Sequence, residues 1–385
     1  MSIRGKLLWV MDMAPWRFKL RQVLKMLLHN CILPLVYGFW CWIYRNREKQ
    51  MILFADSHHS RCPVSMERLH RELERRGHVL TDEFHDYAAM SKGEAVLWAM
   101  KFMRVYAQAK VVFICDNFLP VSACKKQKDT VVVQLWHACG LVKKMGYDTE
   151  QDIPAHYHGK IYRNYDLVTV SAPCCVEPMS RAMRLPRTVV KPLGVSRTDP
   201  YFDPAWRERC REAFYKQHPE AMGKKIVLWA PTFRGNASDP YQVGMEAIDR
   251  LEKQLGAGFY LIRKLHPHMA RKLNLEDPSV TTEQLLPVTD LLITDYSSVL
   301  TEFLFFEKPC VLFAPDFEEY QKKRGFYVPY YSLSPYIVTE GERLYEYCIR
   351  AMERPDLPWI HRLQAYHLSC CDGKSTERIL AELDL

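Results

Sequence analysis

The chain has 385 residues, of which 48% are hydrophobic and 25% charged, a composition that excludes a disordered protein and suits two folded domains. Its net charge of +8 is concentrated in residues 1–50, which hold nine Lys or Arg against two acidic residues, so the rest of the chain is nearly neutral. A duplex nucleic-acid binder usually spreads basic surface over its folded body, and this distribution therefore excludes nucleic acid as the expected partner.

Residues 1–49 are predicted to associate with a membrane. Residues 16–27 have the periodicity of a basic amphipathic helix, and an uncharged run of 19 residues follows over 26–44, succeeded by Arg45 and Arg47. The run ends in aromatic residues, which together with the basic residues favour a segment lying in the interface of an anionic membrane. A membrane span and a helix pair docked on the protein core are the alternatives. No signal-peptide cleavage site is evident.

From residue 51 onward, short apolar runs alternate with charged helical patterns. Continuous apolar runs are typical of strands covered on both faces, and their alternation with helices predicts an α/β protein with parallel sheets. The predicted strands are Met51–Ala55, Val111–Cys115, Thr130–Leu135, Leu167–Val170, Ile226–Trp229, Gly258–Ile262, Leu291–Thr294 and Cys310–Phe313. The predicted helices include Val64–Arg76, Glu94–Gln108, Pro204–Gln217, Gly244–Leu255 and Val299–Phe306.

The alternation occurs twice, with an aperiodic stretch bearing Pro and Gly over Lys191–Tyr201 between the two parts. We therefore predict two Rossmann-like, doubly wound domains, residues 50–195 and 196–365, followed by a C-terminal helix over 366–385. A cleft between the carboxyl ends of two such sheets is a common position for a nucleotide. The glycine-rich loops of P-loop kinases and of dinucleotide oxidoreductases do not occur in the sequence, so those two interpretations lose support.

Two of the predicted strands end in histidine. His137 follows an apolar strand and precedes Gly140, and His266 follows the strand that ends at Ile262 and precedes Pro267. A histidine at the carboxyl end of a strand opens towards the cleft, where its imidazole can take a proton from a hydroxyl or bind a phosphate. A structural histidine bonded to a neighbouring loop is the alternative in each case.

A third strand end carries hydroxyls and a carboxylate. Asp295, Ser297 and Ser298 lie between the strand Leu291–Thr294 and the helical pattern that begins at Val299. The hydroxyls and free N–H groups of such a helix N-terminus can bind phosphate oxygens. Ser and Asp are also the usual N-cap residues, so an ordinary cap is equally compatible with this motif.

Two arginines are candidates for binding phosphate. Arg234 follows Thr232 in the motif Ala-Pro-Thr-Phe-Arg after the strand Ile226–Trp229, and Arg324 follows the acidic helical stretch 316–320. A guanidinium can form two parallel hydrogen bonds to a phosphate. A surface salt bridge is the alternative for each arginine.

The 13 cysteines indicate a reducing compartment rather than a disulfide scaffold. Their number is odd, and the adjacent pairs Cys174-Cys175 and Cys370-Cys371 have neither zinc-ligand spacing nor C-x-x-C spacing. His266-x-His268 supplies two metal ligands without a nearby carboxylate. No metal site is therefore predicted.

Together these motifs resemble the CDP-glycerol:poly(glycerophosphate) glycerophosphotransferase family, the bacterial wall teichoic acid primases and polymerases. The resemblance covers residues 50–385 and is densest over 291–330. It rests on five elements in the family's order, which read VVQLWHACG, VLWAPTFRG, IRKLHPH, DLLITDYSSVLTEFLFFEKPCVLFAPDFEEYQKKRGFYVPY and CDGKSTERILAEL.

The resemblance implies a GT-B-type fold and a reaction that needs neither a metal nor a cofactor. Glycerol phosphate, or a related polyol phosphate such as ribitol phosphate, would pass from a CDP-activated donor to a hydroxyl of a lipid-linked saccharide or polyol-phosphate acceptor, with release of CMP. The enzyme would act peripherally at the cytoplasmic face of the cell membrane, in cell-wall polymer synthesis. A GT-B glycosyltransferase that uses a nucleotide sugar is the alternative.

The resemblance also assigns roles to residues. Residues 50–195 would bind the acceptor and residues 196–365 the donor. His137 and His266 would be catalytic, with His137 as the general base that deprotonates the acceptor hydroxyl. The residues that would hold the donor and its phosphates are Thr232, Arg234, His266, Asp295, Ser297, Ser298 and Arg324.

Overall fold

The structure, a computed structural model, describes residues 23–385 except 154, 156–159, 237–238, 266–268 and 270–279. The described chain forms two parallel sheets, each flanked by helices, and a short antiparallel hairpin. The predicted α/β class is therefore confirmed.

The first sheet contains six parallel strands in the order β2-β1-β3-β4-β5-β6. The strands are β1 (Met51–Asp56), β2 (Leu80–Phe84), β3 (Ala109–Ile114), β4 (Val131–Gln134), β5 (Leu167–Thr169) and β6 (Val190–Lys191). The chain crosses to one side of β1 to form β2 and to the other side to form β3. The crevice between β1 and β3, at the carboxyl ends of these strands, is thus a topological switch point, where ligands of open α/β sheets bind.

The second sheet repeats this arrangement with five parallel strands in the order β10-β7-β11-β12-β13, and β8 and β9 form the hairpin. The strands are β7 (Lys225–Trp229), β8 (Arg234–Asn236), β9 (Asp239–Tyr241), β10 (Phe259–Arg263), β11 (Leu291–Thr294), β12 (Cys310–Phe313) and β13 (Ile337–Val338). The switch point of this sheet lies between β7 and β11, so the loops after these two strands face the cleft.

Helices cover both faces of the two sheets. Their bounds are Leu33–Ile43, Val64–Arg75, Lys92–Tyr106, Leu119–Ser122, Val176–Met183, Pro204–Gln217, Met245–Leu255, Thr282–Leu285, Val299–Phe303, Phe317–Lys323, Leu344–Glu353, Leu357–His367 and Ser375–Glu382. In β1 alternate side chains enter different cores: Leu53 packs in the cluster of Phe102 and Val112, whereas Phe54 packs in the cluster of Leu69. Burial on both faces explains why the strands are apolar without alternation.

The C-terminal helix Ser375–Glu382 returns to the first domain. Ile379 and Leu380 are fully buried in the same cluster as Ile52 and Phe54 of β1. The carboxylate of Asp199 accepts hydrogen bonds from the backbone N–H groups at the start of this helix. The chain therefore crosses between the domains twice, and the proposed domain limits at 195/196 and 365/366 stay a prediction.

The N-terminal helical segment Val23–Ile43 has 21 residues and a mean hydropathy of 1.5 in its most apolar window, long and apolar enough to cross a membrane. One face docks on the first domain, where Tyr37 is buried and its hydroxyl accepts a hydrogen bond from the Gln127 N–H at 3.1 Å. The opposite face is open, with Leu35 73% exposed and Trp42 60% exposed. Residues 16–22 of the predicted amphipathic helix lie outside the described residues.

Candidate functional site

A cavity of about 390 Å³ lies between the two domains, at the carboxyl ends of both sheets. His137 and Lys143 line it from the first domain, and Tyr296, Ser298 and Arg324 line it from the second. Three residues predicted from separate motifs, His137, Ser298 and Arg324, are therefore brought together. The arrangement follows from the two switch points, because the strand ends that flank them open into the same space.

His137 is held at the end of β4 by a tight turn. Trp136 has a positive φ of 58°, an uncommon conformation for a residue with a side chain, and its N–H donates to the Gln134 Oε1 at 3.0 Å. The Nδ1 of His137 lies 3.2 Å from the carbonyl oxygen of Cys115. A carbonyl can only accept, so Nδ1 carries the proton of the neutral ring and Nε2 keeps a free lone pair. The imidazole is thereby suited to act as a base.

Asp116 is a functional candidate that the sequence motifs missed. Its Oδ2 lies 3.6 Å from the Nδ1 of His137, and the side chain is 36% exposed on the cavity wall. A carboxylate at this distance would favour a positive charge on the imidazole. The available signal was the position of Asp116 two residues after the apolar strand β3, which neighbours β4 in the sheet.

A second histidine–carboxylate pair lies at the end of β1. The Oδ2 of the buried Asp56 accepts hydrogen bonds of 2.8 Å from the backbone N–H groups of His58 and His59 and from the Nδ1 of His59. The hydrogen bond to Asp56 raises the pKa of His59. Burial would raise the pKa of Asp56, but the hydrogen bonds from His59 and His58 lower it below its ordinary value. This pair was not predicted from the sequence, although its motif Ala-Asp-Ser-His-His lies at the end of a strand.

Arg197 connects the loop of His137 to the second domain. Its guanidinium donates to the carbonyl oxygen of His137 and pairs with Glu283 and, at 3.4 Å, with Glu302. Burial would lower the pKa of Arg197, but the two carboxylates raise it above its ordinary value. Burial raises the pKa of Glu302, and Arg197 opposes that rise. The loop after β4 thus depends on charges supplied by the other domain.

The predicted phosphate ligands Arg234 and Asp295 are engaged with each other. The Nη2 of Arg234 donates to the Oδ2 of Asp295 at 3.0 Å, and the Nε donates to Asp316 at 2.6 Å. The guanidinium also lies against the rings of Tyr296 and Tyr320, 4.9 and 5.0 Å from their centroids. This geometry makes both residues supports of the loops after β7 and β11. Their direct contact with a phosphate stays a prediction.

Thr232 and the two serines differ in their surroundings. The Oδ1 of Asp295 accepts from the Thr232 N–H at 2.8 Å, while the Thr232 hydroxyl is buried without a hydrogen-bond partner in the described part of the chain. The Oγ of Ser297 accepts from the Val299 N–H at 3.3 Å, a local serine turn one residue before the N-cap Ser298, whose own side chain does not cap the helix. Ser298 lines the cavity. Of these hydroxyls Ser298 therefore faces the cavity, and Thr232 lacks an internal hydrogen-bond partner among the described residues.

Arg324 joins the two domains at the cavity rim. It pairs with Asp152, and its Nη1 donates to the carbonyl oxygen of Lys144 at 3.1 Å. His266 lies outside the described residues, so its predicted position at the strand end has no structural description.

Similarity to known proteins was found along most of the chain. Residues 40–384 match the family model described as CDP-Glycerol:Poly(glycerophosphate) glycerophosphotransferase. The chain is 31% identical over 306 residues to a teichoic acid ribitol-phosphate primase of Bacillus spizizenii, covering 74% of this chain and 78% of the primase. It is 30% identical over 348 residues to a teichoic acid poly(ribitol-phosphate) polymerase of the same organism, covering 86% of this chain and 56% of the polymerase.

Among solved structures, the wall teichoic acid polymerase TagF has a TM-score of 0.72 at 17% identity, covering 96% of this chain and 97% of that chain. A TagF variant soaked with CDPG has a TM-score of 0.70. At this identity the likeness shows the fold, and it confirms the predicted GT-B type. Because the family model matches nearly the whole chain, this protein belongs to the CDP-glycerol:poly(glycerophosphate) glycerophosphotransferase family.

Proposed function

We propose that this chain transfers glycerol phosphate or ribitol phosphate from the CDP-activated polyol to a hydroxyl of a lipid-linked saccharide or polyol-phosphate acceptor, releasing CMP. The product would be part of a teichoic-acid-like cell-surface polymer. The observation that carries this proposal is the shared cavity, in which a base from one domain faces hydroxyl and cationic groups from the other. Family membership supports the donor class, as does the CDPG soak of TagF.

In the proposed reaction, the Nε2 of His137 takes the proton of the acceptor hydroxyl. The hydroxyl oxygen then bonds to the phosphorus that carries the polyol, and the bond from that phosphorus to the bridging oxygen of CMP breaks. CMP leaves with the electron pair, so charge and atoms balance. Asp116 stabilises the imidazolium. Such transfers depend on alignment and charge stabilisation, and one positioned base contributes about 10²–10⁴ in rate.

The donor would be held by the second domain. We assign Ser298 and Thr232 to the diphosphate, with Arg324 beside them at the rim. Arg234 and Asp295 would hold the loops that carry these groups. His266 is proposed as the second catalytic histidine, on the donor side. Hydroxyl and imidazole groups of the protein bind diphosphate oxygens well where the site excludes water.

We also propose that the reaction needs no metal. The support is chemical, since Lys143 and Arg324 line the cavity from the two domains and could neutralise a diphosphate in place of a metal. Activity should therefore persist in EDTA and should not rise on addition of Mg²⁺ or Mn²⁺. Loss of activity in EDTA that Mg²⁺ restores would overturn this part of the proposal.

We place the protein at the cytoplasmic face of the membrane, where the acceptor lipid would be presented. The support is the open apolar face of the helical segment Val23–Ile43 and the excess of basic residues before Met51.

The experiment that tests the function compares donors. Purified full-length protein is incubated with prenyl-diphosphate saccharides or polyol phosphates and with CDP-glycerol, CDP-ribitol or nucleotide sugars. We expect CMP release and a product heavier by one or more polyol phosphates with at least one CDP-polyol. Release of a nucleoside diphosphate from a sugar donor, without CMP from either CDP-polyol, would instead indicate the glycosyltransferase.

A further inference from the structure

Lys143 lies at a point where the backbones of the two domains are hydrogen-bonded to each other. The Tyr327 N–H donates to the Val142 carbonyl at 2.8 Å, and the Lys144 N–H donates to the Gly325 carbonyl at 3.0 Å. Lys143 thereby forms an antiparallel bridge with Phe326. Because the main chain is fixed on both sides, the direction of the Lys143 side chain is set by the contact between the domains.

The side chain of Lys143 is part of the cavity wall, together with His137 and Ser298. Within the described ranges its Nζ forms neither a hydrogen bond nor an ion pair, in contrast to the neighbouring Arg324 and Arg234, whose carboxylate partners are in place. A partly buried ammonium without a counter-ion is unfavourable. The free-energy cost of burying the ammonium becomes small when a bound ligand supplies the negative charge.

The charged groups that face Lys143 do not neutralise it. They are Arg324 and Arg234, which repel it, and Asp295 and Asp152, which attract it. Both carboxylates already form ion pairs with the two arginines. Burial and then repulsion by Arg324 lower the pKa of Lys143 to about 8.

We propose that Lys143 binds a non-bridging oxygen of the donor diphosphate, so that the first domain contributes a phosphate-binding cation beside the base. This rests on the proposed function and adds to it a contact from the domain that otherwise holds the acceptor. Lysine binds phosphate as a point charge and needs no fixed angle. Its ammonium would balance the charge that builds on the diphosphate as CMP departs.

The proposal predicts a distinctive pH dependence. As the pH rises through about 8, Lys143 loses its proton and the diphosphate loses its counter-charge. The kcat/KM for the donor should therefore fall on the alkaline side of the profile. In Lys143→Arg the guanidinium stays charged, so the pH at which kcat/KM falls on the alkaline side should rise by more than one unit.

The test uses full-length protein with Lys143→Met, Lys143→Arg and, as a control for the lost charge, Lys110→Met. Lys110 is exposed on β3, at the end of the sheet remote from the cavity. We expect kcat/KM for the CDP-polyol to fall about 10²-fold in Lys143→Met, to recover largely in Lys143→Arg, and to change less than about threefold in Lys110→Met. Circular dichroism and thermal melting establish that each variant is folded.

Calorimetric titration of CDP separates this inference from the proposed function. If the wild type releases no CMP from any CDP-polyol, the proposed reaction fails, and weaker CDP binding by Lys143→Met, about tenfold or more, would still support the phosphate contact. Unchanged CDP affinity and unchanged kcat/KM in Lys143→Met would overturn the inference. So would an alkaline limb that stays at the same pH in Lys143→Arg.

Discussion

Arg197 lies where the loop after β4 meets the second domain, with its side chain 11% exposed, and it joins the backbone of His137 to Glu283 and Glu302. Removing the guanidinium leaves the buried carboxylate of Glu302 beside the mostly buried carboxylate of Glu283, without a cation between them. Loss of one partner of such a cluster is much more costly than loss of a surface ion pair, because the remaining charges are not solvated.

We therefore expect Arg197→Met to lower the free energy of unfolding by about 3–5 kcal/mol. Urea denaturation of the purified protein measures this difference. The control is Arg187→Met, since Arg187 is exposed and its partner Glu177 is exposed too, so its loss should change stability by less than about 0.5 kcal/mol. Equal stability of the two variants would show that the Arg197 cluster does not hold the domains together.

The residues of the candidate site differ in whether the sequence predicts them. His137, Ser298 and Arg324 were predicted because each follows a strand or helix in a recognisable motif, and the structure brings them to one cavity. Asp116 was missed because its closeness to His137 depends on which strands are neighbours in the sheet, whereas His59 contacts Asp56 only three residues earlier, in a local motif that was not recognised. Strand order cannot be read from one strand at a time.

At the scale of secondary structure, buried strands were predicted well and marginal strands were not. All eight predicted strands are present with ends shifted by a few residues. The strand β2 was missed because its sequence, Leu-Thr-Asp-Glu-Phe, is half polar, which suits the edge position that it occupies. The two-residue strands β6 and β13 are too short to give a pattern. The predicted helix Val299–Phe306 divides into an α-helix and a 3₁₀ turn.

Gly194 permits the C-terminal helix to dock on the first domain. Its φ is +87°, and a Cβ at this position would overlap the carbonyl oxygen of Cys370 and the Oγ of Ser375. Gly194→Ala should therefore undock the segment 370–382 and lower the Tm by several degrees. Differential scanning calorimetry measures the change.

The matched control for this prediction is Gly223→Ala. Gly223 has a similar φ of +77°, with no atom within 4 Å of an added Cβ. The variant Gly223→Ala therefore measures only the backbone strain of a side chain at positive φ, about 1–2 kcal/mol. A Tm for Gly194→Ala equal to that of Gly223→Ala would mean that close packing of the C-terminal segment contributes nothing.

The helical segment Val23–Ile43 leads to a second prediction at this scale. Its open face carries Leu35, Phe39 and Trp42, which would enter the lipid interface. The double variant Leu35→Glu/Trp42→Glu should lose at least about tenfold in binding to vesicles containing phosphatidylglycerol, measured by flotation. Val79→Glu, at a position 71% exposed elsewhere on the first domain, should bind like the wild type. Undiminished flotation of the double variant would refute membrane association through this face.

For the whole molecule, the repeated strand–helix alternation predicted two parallel sheets, and both adopt the same strand order around a switch point. The return of the C-terminal helix to the first domain was not predicted. Its amphipathic pattern shows that one face is buried but does not specify against which domain. The cleft follows from the topology, whereas the contacts that close it, Arg197 and the bridge at Lys143, depend on pairs far apart in the chain.

We propose that His137 is the base for transfer from a CDP-polyol bound in this cleft. The most direct test of this proposal measures CMP release and donor binding together in His137→Ala, with the exposed His361→Ala as control. We predict that CMP release falls by about 10²–10⁴. The donor dissociation constant should change by less than about threefold, and His361→Ala should match the wild type. Turnover by His137→Ala close to that of the wild type, with donor still bound, would show that His137 is not the base.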